Sequence, residues 1–200
     1  MYSLKQIDEV NEGLQLIPSR ISKLYYILWK LDEKLKVEKA KEYLQHGAMR
    51  RFGTLQKCID NVFFIFPVEQ KEPLKSQDLH DVTINIQAFF INIIGILDNL
   101  AWVINYEMKL GIDKSKVCLF KKSIQGHLSE NLKKYLQSKD IQNWHSKYFK
   151  SYRDALCHRI PLYVPPHETL KGEAKKYPCF KIAHSFDEEN KHMFFHCQMI

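Results

Sequence analysis

The sequence predicts an all-α protein, a bundle of four to five helices that ends in a less regular C-terminal tail. Only 7 of the 200 residues are Gly and 7 are Pro, fewer than a turn-rich all-β fold uses. Apolar residues recur three and four positions apart over long stretches, which is the spacing of one helix face. A hydrophobic fraction of 45% in 200 residues is enough for one sizeable core, so one domain is expected.

The helix bounds follow from this spacing and from the residues that start and stop helices. Ser19 follows Pro18 and precedes an apolar stripe, so we expect Ser19 or its neighbour to cap the first long helix. Gly47 and Pro67 are expected to end the first and second helices. A break near Ser138 separates the last two of the expected helices, which cover residues 19–46, 48–66, 76/78–110, 128–138 and 140–160.

The most apolar run, Ala88 to Ile104, is expected to form the central and most enclosed helix rather than a membrane span. It is shorter than a bilayer requires, and it contains Asp98 and Asn99. These two polar residues have two interpretations: a hydrogen bond between helices, which we favour, or support for a nearby functional site. Gly95 is expected where a neighbouring helix approaches closely. No apolar leader opens the sequence, so a cytoplasmic protein without membrane contact is expected.

The predicted domain is a helical bundle over residues 1–166, followed by a C-terminal tail over 167–200. The tail contains CFKIAHSF and HMFFHCQMI, which are rich in Phe and β-compatible residues, with DEEN between them. A short β-ribbon is one interpretation of the tail. Its apolar end suggests either that the sequence is cut short or that the tail docks on the bundle. Five scattered cysteines without a CxxC pair are typical of free thiols in a reducing cytoplasm.

The net charge of +7 lies entirely in one segment. Residues 111–160 contain 11 Lys and Arg against 4 Asp and Glu, and the rest of the chain contains 19 of each sign, from totals of 30 and 23. A local excess of positive charge favours a polyanionic partner such as RNA or a nucleotide. A solvated lysine face that aids solubility is the alternative.

The same segment contains Arg153, Asp154 and His158 near the end of the last expected helix, which Pro161 is expected to stop. Arg has a planar fork of donors that matches phosphate, and His exchanges a proton near neutral pH. Such a pair can hold a phosphodiester and move its protons without a metal. A five-residue step does not place two side chains on one face of an ideal helix. A surface Arg and a His favoured by the helix dipole are therefore the alternative.

Two further features beside this pair have structural interpretations that we prefer. Trp144, Tyr148 and Tyr152 follow helical spacing and could stack on bases, but a stripe that faces the core is the usual explanation. Cys157 is expected to be a packed helix cysteine rather than a nucleophile, because a nucleophilic role needs an activated thiolate.

The run YRDALCHRIP resembles the R-x4–6-H motif of the HEPN superfamily, the small all-α domains of nucleotide-binding and RNA-cleaving proteins. The residue after the Arg is commonly polar in this family, and it is Asp154 here. The layout is similar too, since long helices precede a motif in a late helix, and the resemblance covers about residues 19–166. The run YRDALCHRIPLYVPP also looks like a group of bacterial HEPN-like proteins of unknown role.

The resemblance implies a metal-independent endoribonuclease that works as a homodimer, with the motifs of two protomers facing each other across a shared cleft. By this resemblance Arg153 would bind the scissile phosphate, and His158 would act on the 2′-hydroxyl or the leaving oxygen. Asp154 would orient one of the pair, and the products would carry 2′,3′-cyclic phosphate ends. A toxin or defence role with an antitoxin partner is expected of such a protein.

A second class of function stays open: a non-catalytic helical module whose basic segment binds a nucleic acid or an acidic partner protein. Some members of the HEPN superfamily have lost cleavage and only bind nucleotide or RNA. We expect no cofactor and no metal site. His192 and His196 are four residues apart, but this spacing arises easily among nine histidines. The sequence contains no P-loop, Rossmann or serine hydrolase motif.

Overall fold

A computed structural model of the protein describes residues 3–70, 72–158 and 164, and of His158 it describes the backbone alone. This described part is all-α, as predicted, and contains six helices and no strand. A 3-10 turn, Lys114–Lys116, precedes the fourth helix. The helices are α1 (Leu4–Asp32), α2 (Glu38–Glu42, Tyr43–Met49 and Arg50–Ile65), α3 (Ser76–Glu107), α4 (Lys122–Gln125), α5 (Glu130–Leu136) and α6 (Lys139–Trp144, His145–Lys150 and Ser151–His158).

The first helix begins much earlier than the expected cap at Ser19. Ser3 and Gln6 form a capping box, in which each side chain accepts a hydrogen bond from the other residue's backbone N–H. Pro18 lies inside α1, where its ring removes one backbone donor. The hydroxyl of Ser19 donates to the carbonyl of Leu16 at 2.8 Å instead of capping a helix start. The predicted start at Ser19 was therefore wrong.

The expected helix over 19–46 is divided in two between α1 and α2. The carboxylate of Glu107, at the end of α3, accepts hydrogen bonds from the backbone N–H groups of Lys36 and Val37 at 3.0–3.1 Å. These bonds satisfy free donors at the start of α2, where no side chain of the segment itself acts as a cap. Gly47 does not end a helix, because it lies within the π-helical stretch Tyr43–Met49 of α2.

The core lies along the line where α2 packs against α3. Residues of α2 that recur every three or four positions are buried there, and Ala40, Leu44 and Ala48 are fully enclosed. Ile96 and Val103 of α3 complete this core together with Leu28 and Leu35 and with the buried α2 residues Phe52 and Leu55. Gly47 faces α3 at the π-helical stretch. A Cβ on Gly47 would lie 2.5 Å from Cγ of Asn99, so only glycine permits this approach.

The third helix is central, as predicted, but it is not the most enclosed. It packs against α2 along much of its length and also against α4 and α6. Many of its apolar side chains are only half-buried, and Ile84 and Ile91 are exposed. Among the described residues it is the one helix long and apolar enough to cross a bilayer. An 18-residue stretch of it has a mean hydropathy of 1.6, and 22% of that stretch is buried.

The chain after α3 is irregular before it becomes helical again. A turn with positive φ at Lys109 and Gly111 ends α3. The side chain of Asn105 then accepts a hydrogen bond from the backbone N–H of Ile112 at 3.1 Å. A second, smaller core forms from Ala101, Val117, Leu119 and Ile124.

The backbone N–H of Val164 donates to the hydroxyl of Thr83 at 3.2 Å, so residue 164 lies beside α3. The predicted boundary at 166, the stop at Pro161 and the tail over 167–200 with its β-ribbon lie outside the described residues.

Candidate nucleic-acid interface

The sixth helix presents one apolar side to the rest of the protein and a basic side to solvent. Its middle stretch, His145–Lys150, is π-helical, and the hydroxyl of Ser151 donates to the carbonyl of Ser146 across this widened turn. Phe149 and Ala155 are buried. The structure describes four basic side chains of this helix, and all four are exposed: Lys139, Lys147, Lys150 and Arg153. The charge excess found in the sequence is thus available on the surface here.

Arg153 is an exposed arginine that pairs with its own neighbour. Its Nε and Nη2 both donate to Oδ1 of Asp154, at 3.2 and 3.0 Å. The side chain of Arg153 is 45% exposed, and that of Asp154 is 23% exposed. A pair between adjacent residues at the surface contributes little to stability. It does hold the planar guanidinium in one orientation while leaving much of it accessible to a ligand.

Asp98 of α3 lies in the electrostatic field of two arginines. The pKa of its carboxyl is raised by partial burial, and the charges of Arg153 and Arg51 act in the opposite direction. Asp98 keeps an exposed surface, so its carboxyl is only partly desolvated. Of the two interpretations of Asp98, proximity to the predicted motif is the one that the influence of the Arg153 charge favours.

Asn99, the neighbour of Asp98, has a structural role, but its hydrogen bond lies within α3 and not between helices as expected. Its amide donates to the carbonyl of Gly95 at 2.7 Å, and its side chain packs against Gly47 of α2. The contact between α2 and α3 therefore depends on Asn99, whereas Asp98 lies near Arg51 and Arg153.

Arg51 of α2 was not singled out from the sequence. Its Nη1 donates to the side-chain oxygen of Asn92 at 2.9 Å, and a Cβ on Gly95 would lie 2.4 Å from its Cζ. Gly95 thus permits the close approach that we predicted, but what approaches is the arginine side chain. Its Nε is buried and finds no acceptor among the described residues. Nothing in the local sequence RRFG distinguishes Arg51 from the exposed Arg50, because the difference lies in which side faces α3.

His145 is a second residue that the sequence analysis missed. Its ring stacks on Phe120, with 3.7 Å between centroids and 18° between planes. Burial, followed by the charges of Arg153 and Lys150, lowers its pKa, so the imidazole is neutral at pH 7. The sequence did contain a signal for this. His145 and Arg153 are eight positions apart, close to two helical turns, and the π-helical stretch brings such positions nearer to one face of the helix.

The predicted partner of Arg153, His158, is the last residue of α6 that the structure describes, and its side chain lies outside the described part. Ser151–His158 is regular α-helix, so a five-residue step separates the two positions by about 140° around the axis. The pairing of Arg153 with His158 stays a prediction. Among the described residues, Asp154 accepts a hydrogen bond from Arg153, and the charge of Arg153 reaches Asp98 and His145.

Two expectations about the same helix were wrong. Trp144 and Tyr148 are 38% and 53% exposed, so of the three residues of the expected core stripe only Tyr152 is half-buried, where it packs on Phe90 of α3. Cys157 is not packed but exposed. In both cases the inner side of α6 is occupied by Phe149 and Ala155, and helical spacing alone could not decide which of its sides faces the core.

A separate cleft of about 490 Å³ lies between α1 and α2. Tyr25 and Trp29 line it together with Asp32, His46 and Arg50. It includes no residue of the basic segment and therefore does not extend the surface around Arg153. Among the residues described, no group of three or more His, Cys, Asp or Glu could hold a metal ion. His192 and His196 lie outside them.

Comparison of the chain with known protein families, with curated proteins and with solved structures finds no match.

Proposed function

We propose that the protein is a HEPN-like RNA-binding protein and a metal-independent endoribonuclease whose site is built around Arg153. The observation that carries the proposal is the setting of this arginine. It is exposed, oriented by Asp154, and located on a helix whose outer side is basic. Phosphate contacts supply most of the affinity of a protein for RNA, and arginine is well suited to bind phosphate with two donors.

The proposed chemistry is an attack by the RNA's own 2′-hydroxyl on the neighbouring phosphorus. A bond from the 2′-oxygen to phosphorus forms, the bond from phosphorus to the 5′-oxygen breaks, and a 2′,3′-cyclic phosphate results. Arg153 stabilises the charge that develops on the phosphate. His158 accepts the proton of the 2′-hydroxyl or donates one to the leaving 5′-oxygen, and Asp154 orients Arg153.

The proposal includes a homodimer in which the second protomer completes the site. The separation of Arg153 and His158 around the helix is large for a site within one chain, so two copies that face each other would supply the missing contacts. Ile91 supports this, because it is 47% exposed and follows Phe90, whose ring contacts Tyr152 of α6. In a toxin or defence setting, an acidic antitoxin would cover the same basic surface.

Cleavage of a single-stranded RNA in the presence of EDTA tests the proposal. We expect cleavage by the unmodified protein, products that end in 2′,3′-cyclic phosphate, and loss of activity in Arg153→Ala and His158→Ala with the fold intact. Arg20→Ala, which removes an exposed arginine of α1, is the control and should remain active. Cleavage that survives both substitutions in the motif would exclude the catalytic assignment.

The second candidate is a cytoplasmic binding module without cleavage, and the exposed lysines between 111 and 158 favour it independently of His158. It predicts no cleavage under any condition, together with RNA binding that weakens steeply as salt is raised. An absence of both cleavage and RNA binding would leave an acidic protein as the partner of the basic surface.

A further inference from the structure

Three aromatic rings form a nearly parallel stack that runs outward from α3 along α6. Phe90 of α3 and Tyr152 of α6 are stacked, with 4.2 Å between centroids and 19° between planes. Tyr152 and Tyr148 follow, with 6.4 Å between centroids and 18° between planes. Burial raises the pKa of the Tyr152 hydroxyl, so the middle ring is neutral at physiological pH. The stack begins in the packing of two helices and ends at the surface.

The outermost ring of this stack is accessible. Tyr148 is 53% exposed, although it lies on the helix that packs against α3. Tyr148 and Tyr152 are four residues apart, so the stack follows one side of α6. Lys147 and Lys150 are its near neighbours in the chain, and both are exposed. A flat, exposed ring on a helix that also carries exposed lysines matches a nucleobase whose strand is bound through its phosphates as well.

We propose that Tyr148 is the base-stacking platform of this protein and that an unpaired base of single-stranded RNA adds the next layer to the stack of Phe90, Tyr152 and Tyr148. The inference deepens the proposed function and depends on it, because it names the contact that the RNA makes beside the phosphate site. Every base has a π face, so the platform accepts single strands with little sequence preference. Paired bases are stacked within their duplex and do not reach it.

The charge around Tyr148 favours RNA over a second copy of the chain as the occupant. Two copies that met ring to ring at Tyr148, a different contact from the proposed dimer at Arg153 and His158, would bring the lysines near Tyr148 in the chain, Lys147 and Lys150, close to the same lysines of the other copy. Like charges that face each other across an interface are unfavourable. RNA brings a compensating negative charge with each nucleotide.

The test measures affinity for a 12-nucleotide 2′-O-methyl oligouridine, which cannot be cleaved because its 2′-oxygen carries a methyl group. Tyr148→Ala is expected to weaken binding by about 5- to 20-fold, the lower part of the range for loss of one base stack. Tyr148→Phe keeps the ring and is expected to bind as the unmodified protein does. Tyr135→Ala is the matched control, because Tyr135 is 59% exposed and lies in the same basic segment. It is expected to have no effect.

A companion oligomer that has the same backbone but abasic sugars separates stacking from charge. The effect of Tyr148→Ala should disappear with this oligomer, and the salt dependence of binding should be the same in both proteins. If the unmodified protein binds the uridine oligomer and Tyr148→Ala does not weaken it, the inference fails and the proposed function stands. The inference also fails if Tyr135→Ala weakens binding equally, or if Tyr148→Ala changes the oligomeric state instead of the affinity. If the unmodified protein binds no single strand, both proposals fail.

Discussion

Two arginines flank α3, and they differ in burial and in hydrogen-bond partners. Arg51 comes from α2, is half-buried over Gly95, and donates to Asn92. Arg153 comes from α6, is exposed, and donates to the residue beside it. The charge of each reaches Asp98. An arginine that is enclosed by two helices holds those helices together, whereas an arginine at the surface keeps donors that a ligand can reach.

The same contrast applies to the helices that carry the two arginines. Where α2 meets α3, small residues allow the closest packing, and Ala40, Leu44 and Ala48 are fully buried. Where α6 meets α3, the contact is narrower, and aromatic and basic side chains remain at the surface. The first contact is expected to supply stability and the second to supply function, so substitutions should affect one property or the other.

The largest expected effect is on stability, at the contact of α2 with α3. Gly47→Ala places a methyl group 2.5 Å from Cγ of Asn99, so Asn99 must move and lose its bond to Gly95. We expect a loss of about 1–3 kcal/mol in the free energy of unfolding. Chemical denaturation measures it.

Gly13→Ala is the control for this substitution. Gly13 lies in α1, and a Cβ there would meet nothing within 4 Å. Alanine should therefore stabilise the helix, by about 0.5–1 kcal/mol. A change in the same direction in both variants would show that Gly47 is not required for the close approach of Asn99.

The next effect, similar in size for one variant and much smaller for the other, distinguishes the arginines themselves. Arg51→Ala leaves the oxygen of Asn92 without its donor and opens space over Gly95, and we expect a loss of about 1–3 kcal/mol in the free energy of unfolding. Arg153→Ala removes only an exposed pair with Asp154, and we expect a change within about 0.5 kcal/mol. Urea unfolding of the two variants gives both values. Equal losses would show that Arg153 is as structural as Arg51.

The smallest expected effect is a pH dependence at Asp98. Its pKa in the folded protein is raised above its ordinary value of 3.8, so the folded state holds the proton more tightly than the unfolded state. Stability should therefore fall as pH rises from about 3.8 through the higher pKa of the folded state, and Asp98→Asn should remove this fall. Denaturation curves measured across that pH range test the sign.

Arg153→Ala gives an independent check on the same carboxyl. Removing a nearby positive charge should raise the pKa of Asp98 further, which NMR titration of its carboxyl carbon would detect. A pKa that does not move would mean that Arg153 is too far from Asp98 for the two to belong to one site.

Local patterns predicted the helices better than their ends. The apolar spacing was sufficient to identify the all-α class, the range of α3, the end of α2 and the start of α6. It could not show that Pro18 lies within a helix, since the capping box at Ser3 starts that helix a full fifteen residues earlier. The break before α2 depends on Glu107, a residue 70 positions away from Val37. Such contacts between distant residues are absent from any short window of sequence.

The site was predicted in part, and for a related reason. The composition of residues 111–160 and the motif indicated Arg153 and Asp154, and the structure describes these two as a hydrogen-bonded pair. Arg51 and His145 were missed because their importance depends on which side of a helix faces α3 and on a π-helical stretch. The exposure of Tyr148 was missed because a stripe at helical spacing fits a core and a surface equally well.

The salt dependence of RNA affinity tests most directly whether Arg153 marks a functional surface. Binding of the 2′-O-methyl oligouridine is measured by fluorescence anisotropy at several salt concentrations for the unmodified protein, Arg153→Ala and Arg20→Ala. Loss of one phosphate contact should weaken binding about 10-fold and reduce the slope of log affinity against log salt by about 0.7 in Arg153→Ala. Arg20→Ala, on α1, should match the unmodified protein. Equal behaviour of the two variants, both folded, would contradict the account.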